Sequence, residues 1–134
     1  MDIKSFHHFC IHTSNYDDSL SFYKDLLGFE LVKDDLYAPK RLHRTWLKRG
    51  PLMIELLSAK CNKPYGAYSN SIQGVSHLSF EVVNIETAYE EACSFGATVK
   101  PKHGKSIYRI KGGQQFKLVA PEGTEIEIRN TDFI

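Results

Sequence analysis

Four residues of this chain combine types and positions that could do chemistry: His8, Glu55, His77 and Glu127. Two neutral imidazoles and two carboxylates make a mixed nitrogen and oxygen set suited to one divalent first-row metal, and the carboxylates offset its charge. On an octahedral ion, four such ligands leave two positions for water or substrate. A carboxylate beside the ion can also move a proton between neighbouring carbons. Glu55 asks for an explanation in its own right. It lies in Leu52–Leu57, which is apolar on both faces, and an unpaired carboxylate buried there is costly or neutralises itself. Either a metal or a buried Arg or Lys would meet its charge. A lone histidine on a strand is most often structural, so the weight falls on the joint placement of the four.

That placement comes from an internal repeat. At an offset of 69 residues His8 falls on His77 and Asn15 on Asn84, and one residue of slippage brings Gly28 onto Gly96. Further drift brings Glu55 onto Glu127, at an offset of 72. In each half a His opens the first strand and a Glu sits on the last. His8 is chosen over His7 because His8 precedes Asn15 by the same seven residues that separate His77 from Asn84. Alternation then predicts that His7 points toward the helix face.

The elements that must position these residues follow from the same pattern. Phe6–Thr13 alternates, with Phe9 and Ile11 on one face and His8, Cys10 and His12 on the other. In the second half Leu78, Phe80 and Val82 form the apolar face, opposite Val75, His77, Ser79 and Glu81. A helix follows each strand. The first is capped by Asn15, has Asp17 and Asp18 at its positive end, repeats Tyr16, Leu20, Tyr23 and Leu27, and stops at Gly28. The second runs from a cap at Asn84 through Ile85, Tyr89 and Ala92 to Gly96. Three strands complete each half: Phe29–Lys33, Arg41–Lys48 and Leu52–Leu57, then Ala97–Lys100, Gln115–Val119 and Glu125–Arg129. The expectation is an α+β fold of two βαβββ modules in one domain over 1–134. Module one spans 1–59, a linker 60–73 and module two 74–130. Residues 101–114, with Pro101 and three glycines, read as a long loop of the kind that often serves as a lid.

Composition sets the outer bounds. A net charge of +1 gives no reason to expect nucleic acid or a membrane surface as partner. No apolar run is long enough to span a bilayer, and no signal peptide is read at the N-terminus. Cys10, Cys61 and Cys93 share neither disulfide nor metal spacing, which fits free thiols in a reducing cytoplasm. Lys40, Arg41, Arg44, Lys48 and Arg49 form the densest basic segment. It reads as an edge strand protected by charge, with attraction of an anionic substrate tail as the alternative, and Lys102 and Lys105 share that ambiguity. His43 and His103 have no counterpart across the halves and are expected at the surface.

The stretches His8–Asn15, Ser19–Phe29, Ile54–Leu57, Gly74–Phe80 and Ala120–Glu127 together resemble the vicinal-oxygen-chelate superfamily. That superfamily includes glyoxalase I, methylmalonyl-CoA epimerase, fosfomycin-resistance proteins and extradiol dioxygenases. The run Phe22-Tyr23-Lys24-Asp25-Leu26-Leu27-Gly28-Phe29 is the most specific part of the match. The usual Asp before the Pro-x-Gly turn is Ala120 here, which removes a turn cap and leaves ligation intact. The resemblance implies paired modules curling into a partly open, cup-shaped mixed sheet with helices on the outer face. It also implies one divalent metal and a homodimer whose sites are shared between chains.

A Glu retained at position 55 resembles the isomerase branch, glyoxalase I and its relatives, because dioxygenase and fosfomycin-resistance members typically use two His and one Glu. The implied activity is a metal-dependent lyase/isomerase that moves a proton on an α-oxo hemithioacetal through an enediolate. Nickel, cobalt or zinc would be the first choices of metal, iron or manganese the second. Glu127 would be the principal acid/base and Glu55 a ligand and second base. His12, one strand repeat beyond His8 on the same face, reads as a substrate contact or a group behind the ligands, with a plain cup-lining residue as the equal alternative. Glyoxalase I usually has Arg where His12 stands, an Asn soon after the first ligating Glu, and in some members an Arg at the position of Gln73. The glutathione grip is therefore mostly missing. The competing readings are a methylmalonyl-CoA epimerase-like enzyme, a non-haem iron dioxygenase, and a small-molecule-binding protein without catalysis.

Overall fold

The computed structural model describes residues 1–37, 40–61, 63–69 and 71–131. Two compact units divide the chain, Met1–Gly66 and Ala67–Ile134, with the boundary inside the stretch 60–73. Residues 62 and 70 of that stretch lie outside the described residues.

In the first unit, β1 (Phe9–Thr13) leads into α1 (Tyr16–Ser21) and a π-helical turn (Phe22–Leu26), followed by β2 (Glu30–Tyr37), β3 (Arg41–Arg49) and β4 (Leu52–Ser58). The sheet order is β1-β4-β3-β2, with β1 parallel to β4 and the other pairs antiparallel. Alternation sends Ile11, Thr13, Thr45, Leu47, Ile54 and Leu56 to one face, where all are buried. α1 lies on that face: Ser19 Oγ meets Thr13 Oγ1 at 2.8 Å and the Tyr16 hydroxyl meets Thr45 Oγ1 at 2.6 Å.

Three local expectations change here. The buried residues of the first helix are Ser19, Phe22 and Tyr23, while Tyr16, Leu20 and Leu27 are only half-buried. The cause is the π turn, in which the Leu27 N–H bonds the Phe22 carbonyl at 3.1 Å. Its extra residue per turn rotates Phe22 and Tyr23 together into the core. Asn15 precedes the helix as expected, yet its side-chain amide donates to Asp18 Oδ2 at 3.0 Å and makes no cap bond to the backbone. Strand β3, finally, is no edge: it runs between β4 and β2. Its odd positions therefore face the helix, and His43 stacks on Tyr16 at 3.8 Å and meets Asp34 Oδ2 at 2.8 Å instead of lying at the surface.

Gly28 ends the helical segment with φ +73°. The Arg49 guanidinium donates to the Leu27 carbonyl at 2.7 Å and packs where a Cβ at position 28 would stand. The positive φ favours glycine here, and a Cβ would in addition oblige the Arg49 guanidinium to move.

The second unit repeats the plan with β5 (Leu78–Glu81), α2 (Ile85–Phe95), β6 (Thr98–Val99), β7 (Tyr108–Ile110), β8 (Gly113–Val119) and β9 (Glu125–Arg129). The order is β5-β9-β8-β6, with β5 parallel to β9. Both expected helix ends are present. Asn84 Oδ1 accepts from Thr87 N–H at 2.8 Å, and Gly96 closes the helix at φ +87°. Leu78, Ile85, Ala92, Phe116, Leu118, Ile126 and Ile128 make the buried face. The turn after Ala120 closes through its backbone, with the Ala120 N–H on the Thr124 carbonyl at 2.9 Å.

The stretch 101–114 is more ordered than a long loop. Lys102 and Lys105 exchange backbone hydrogen bonds of 2.9 and 3.0 Å around His103 (φ +49°) and Gly104 (φ +75°), a two-residue turn of the mirror-image type. His103 is exposed there, as expected. β7 then pairs with the first residues of β8 and β6 with the last, both opposite β9, so one edge of β8 is covered in two pieces. The result in both units is an open mixed sheet, not closed into a barrel, with its helix on one face. Among the described residues no helix is long and apolar enough to cross a membrane.

Candidate functional site

Each unit brings its own histidine and glutamate together on the sheet face opposite the helix. In the first, Glu55 lies across from Trp46 on one side and Cys10 on the other. His8, just before β1, places Nε2 3.3 Å from Glu55 Oε2. The remaining oxygen, Oε1, accepts from Arg44 Nε at 2.6 Å. Glu55 is only 8% exposed, and the cation that meets its charge is Arg44, whose own side chain is partly exposed. The Arg44 guanidinium also lies 5.5 Å from the Trp46 ring, and the His8 ring lies 5.0 Å from it.

The second unit repeats the arrangement. His77 Nε2 stands 4.0 Å from Glu127 Oε2, while Oε1 accepts from Ser79 Oγ at 3.1 Å and lies 4.0 Å from Arg129 Nη1. Glu127 is likewise 8% exposed. In both pairs one carboxylate oxygen faces the imidazole and the other is held by a cation or hydroxyl. Donors bound at roughly 2.1 Å to a common ion sit roughly 3 to 4.2 Å apart, from adjacent to opposite positions, so the 3.3 Å pair has the spacing of neighbouring ligands and the 4.0 Å pair is wider than that, near the spacing of opposite ones. Among the described residues neither unit gathers three or more His, Cys, Asp and Glu side chains fit to hold an ion, so each offers two donors.

His7 departs from its expected direction. β1 begins only at Phe9, so strand alternation does not govern position 7. The His7 ring reaches the Trp46 ring at 6.2 Å, and its Nδ1 meets His8 Nδ1 at 2.6 Å. His12 stacks on Tyr65 at 4.4 Å. Desolvation, and then the charge of Arg41, push its imidazole below the ordinary value, which favours the neutral ring. Cys10, opposite Glu55 in the register, has its thiol pushed up to about 11 by desolvation and by that carboxylate, so it stays protonated.

Sequence reasoning put Ser79 on the face of His77 and allowed an Arg or Lys at Glu55, but it did not pair Ser79 or Arg129 with Glu127, single out Arg44, or find the cluster around Glu125. The signal for Arg44 was the two-residue Gly50-Pro51 connection, which sets Arg49 against Leu52 and hence Trp46 against Glu55, with Arg44 diagonal to it. Glu125, 8% exposed, takes Lys100 Nζ at 2.8 Å and Lys117 Nζ at 3.6 Å. The Lys100 hydrogen bond is the main cause that holds this carboxyl below its usual range.

Arg44→Met should destabilise the metal-free protein by about 1–2 kcal/mol, because it strips a partly exposed charged hydrogen bond from a buried carboxylate. Added divalent metal should recover more stability in the variant than in the parent. Thermal melts with and without metal check this, and an equal metal response in both proteins would count against an ion at Glu55.

Comparison with known proteins completes the description. YwkD of Bacillus subtilis (strain 168), an uncharacterized protein, is 29% identical over 102 residues, 75% of this chain and 79% of its own. A glyoxalase family protein from Enterococcus faecalis is 25% identical, with a TM-score of 0.79 over 96% of this chain and 99% of the other. The trypanothione-dependent glyoxalase I of Leishmania major is 17% identical, with a TM-score of 0.73 over 96% and 87% of the two chains, and shares the fold. Residues 5–128 match the model of the Glyoxalase/Bleomycin resistance protein/Dioxygenase superfamily. With nearly its whole length matched and both half-sheets in place, the chain belongs to that superfamily.

Proposed function

We propose that this protein is a metal-dependent, glyoxalase I-like lyase/isomerase acting on an α-oxo hemithioacetal, with His8, Glu55, His77 and Glu127 as ligands of one divalent ion. The observation that carries this reading is the duplicated pair: a His nitrogen 3.3 Å from a Glu oxygen in one unit and 4.0 Å in the other. The donor chemistry supports it, since two imidazoles and two carboxylates suit nickel, cobalt or zinc. The family relation adds weight, because members of this superfamily typically use a divalent metal. We further propose a homodimer in which the first-half pair of one chain and the second-half pair of its partner serve a common site.

When bound, the ion supplies Lewis acidity that acidifies the C–H beside a carbonyl. The chain's own residues divide the remaining work unequally. Arg44 pins Glu55 at 2.6 Å, which suits a fixed ligand. Glu127 is held more loosely, by Ser79 at 3.1 Å and Arg129 at 4.0 Å, so its carboxylate is freer to take a proton from one carbon and return it to the next. His12 in place of an arginine, Leu56-Leu57-Ser58 after Glu55, and Gln73 argue for a thiol other than glutathione.

Elemental analysis of purified protein, followed by assays of methylglyoxal with several thiols, tests the reading. Nickel, cobalt or zinc should be present, and chelation should abolish turnover that the same ion restores. Redox-active iron with oxygen consumption would point to a dioxygenase, and epimerisation of methylmalonyl-CoA to the related thioester chemistry. A metal-free protein with a retained organic ligand would end the enzymatic reading.

A further inference from the structure

The second unit contains an open surface pocket of about 540 Å³ that the repeat does not explain. Tyr68, Val99, Pro101 and Val119 supply largely apolar walls, and Lys100 and Glu125 face it as charged groups. One wall is held firmly: the Tyr68 hydroxyl donates to the Ser76 carbonyl at 2.5 Å, and Gly123 packs so closely that a Cβ there would stand 2.6 Å from Tyr68 Cβ. The charges do not cancel. Glu125 is engaged by Lys100 at 2.8 Å and by Lys117 at 3.6 Å, so the three groups sum to one positive charge. Lys100 carries the accessible share of it. Its side chain is 46% exposed, against 10% for Glu125 and 24% for Lys117. An ammonium has three donors. Glu125 occupies one and fixes the reach of the side chain, and the others are left for a ligand.

We propose that this pocket is a subsite for a substituent bearing one carboxylate on an apolar body, with Lys100 as the residue that selects for the charge. The inference deepens the function above and rests on it for the link to turnover, since Glu125 and Glu127 are two residues apart on one face of β9, about 7 Å. Size limits the occupant. An apolar cavity of about 150 Å³ accepts benzene, so the part of a ligand seated in this open pocket is on the order of 20 non-hydrogen atoms. A pocket of this size with apolar walls and few polar groups is the usual form of a small-molecule site. The substrate class is thus a hemithioacetal or related α-oxo compound with an apolar, singly anionic arm.

Binding of 2-naphthoate and its neutral counterpart 2-naphthamide to the chelator-treated full chain tests the subsite without requiring metal or turnover. The parent should bind the carboxylate about tenfold more tightly, the worth of one charge-assisted hydrogen bond, and the methyl resonances of Val99 and Val119 should shift on titration. Lys100→Met should remove the preference and Lys100→Arg should keep it. Lys100→Gln replaces the Met variant if circular dichroism shows the latter unfolded. Equal affinities in the parent, a preference that survives loss of the ammonium, shifts confined to other residues, or no binding would each overturn the proposal. Charge-selective binding without hemithioacetal turnover would uphold the subsite and remove only the assigned reaction.

Discussion

If Glu127 is the acid/base proposed above, Glu127→Gln should lower hemithioacetal turnover by roughly 10²–10⁴-fold, the range for loss of a positioned acid/base, while the protein stays folded. Glutamine keeps the shape and an oxygen donor, and Ser79 can still donate to that oxygen from about its present place. What disappears is the capacity to accept a proton. The measurement is kcat with metal in excess, beside the metal content of desalted protein, so that weaker retention is not mistaken for lost chemistry. Glu55→Gln serves as the contrast. Its carboxylate is tied to Arg44 at 2.6 Å, so its replacement should cost metal affinity more than turnover at saturating metal. If Glu127→Gln loses its metal yet turns over normally once resupplied, the division of labour between the two glutamates is wrong.

Phe116→Ala is the second large effect and concerns the scaffold. Phe116 is fully buried on β8, with the Tyr89 ring edge-on at 5.5 Å from across the α2 interface. Removing the ring leaves a cavity between sheet and helix and should cost about 3–5 kcal/mol, a large share of the 5–15 kcal/mol typical of a folded protein. Urea denaturation reads the loss. Val83→Ala, at a fully exposed position, should stay within about 0.5 kcal/mol of the parent. A cost below about 1 kcal/mol for Phe116→Ala would mean that the helix is not seated on the sheet as described. Because Glu127 lies on the opposite face of β9 from its buried neighbours Ile126 and Ile128, a folded fraction of the variant should keep its metal affinity.

The residues that pair within each half were legible in the sequence because the repeat fixes them in order along the chain. The alternation of Phe9, Ile11, Leu78 and Phe80 then assigned their faces. What escaped depends on relations between strands. Arg44 looked like edge protection because nothing local says that β3 has a strand on each side. Its partnership with Glu55 exists only once the hairpin register is set. The π turn escaped for a different reason: the spacing of Tyr16, Leu20, Tyr23 and Leu27 assumes 3.6 residues per turn throughout, and one longer turn brings Phe22 inward beside Tyr23. β7 was hidden by the glycines around it, whose positive φ values at Gly104 and Gly112 serve tight turns between ordered pieces. The Lys100–Glu125–Lys117 cluster required knowing that residues far apart in sequence share one sheet face.

The edge of β8 covered in two pieces bears on how such a duplicated chain can diverge. In the first unit the corresponding strand β2 stays on β3 for eight residues and takes up its irregularities as register shifts within the ladder, between Leu31 and Lys33 and between Asp35 and Tyr37. In the second unit the chain leaves the ladder after β6 and rejoins at β7, with a tight reversal at His103-Gly104 between. Residues gained or lost at that exposed reversal need shift no hydrogen bond between β8 and β9. The first module thus absorbs a change of length inside its ladder, while the second can vary in length at the rim next to Lys100 and Pro101 without disturbing His77 or Glu127.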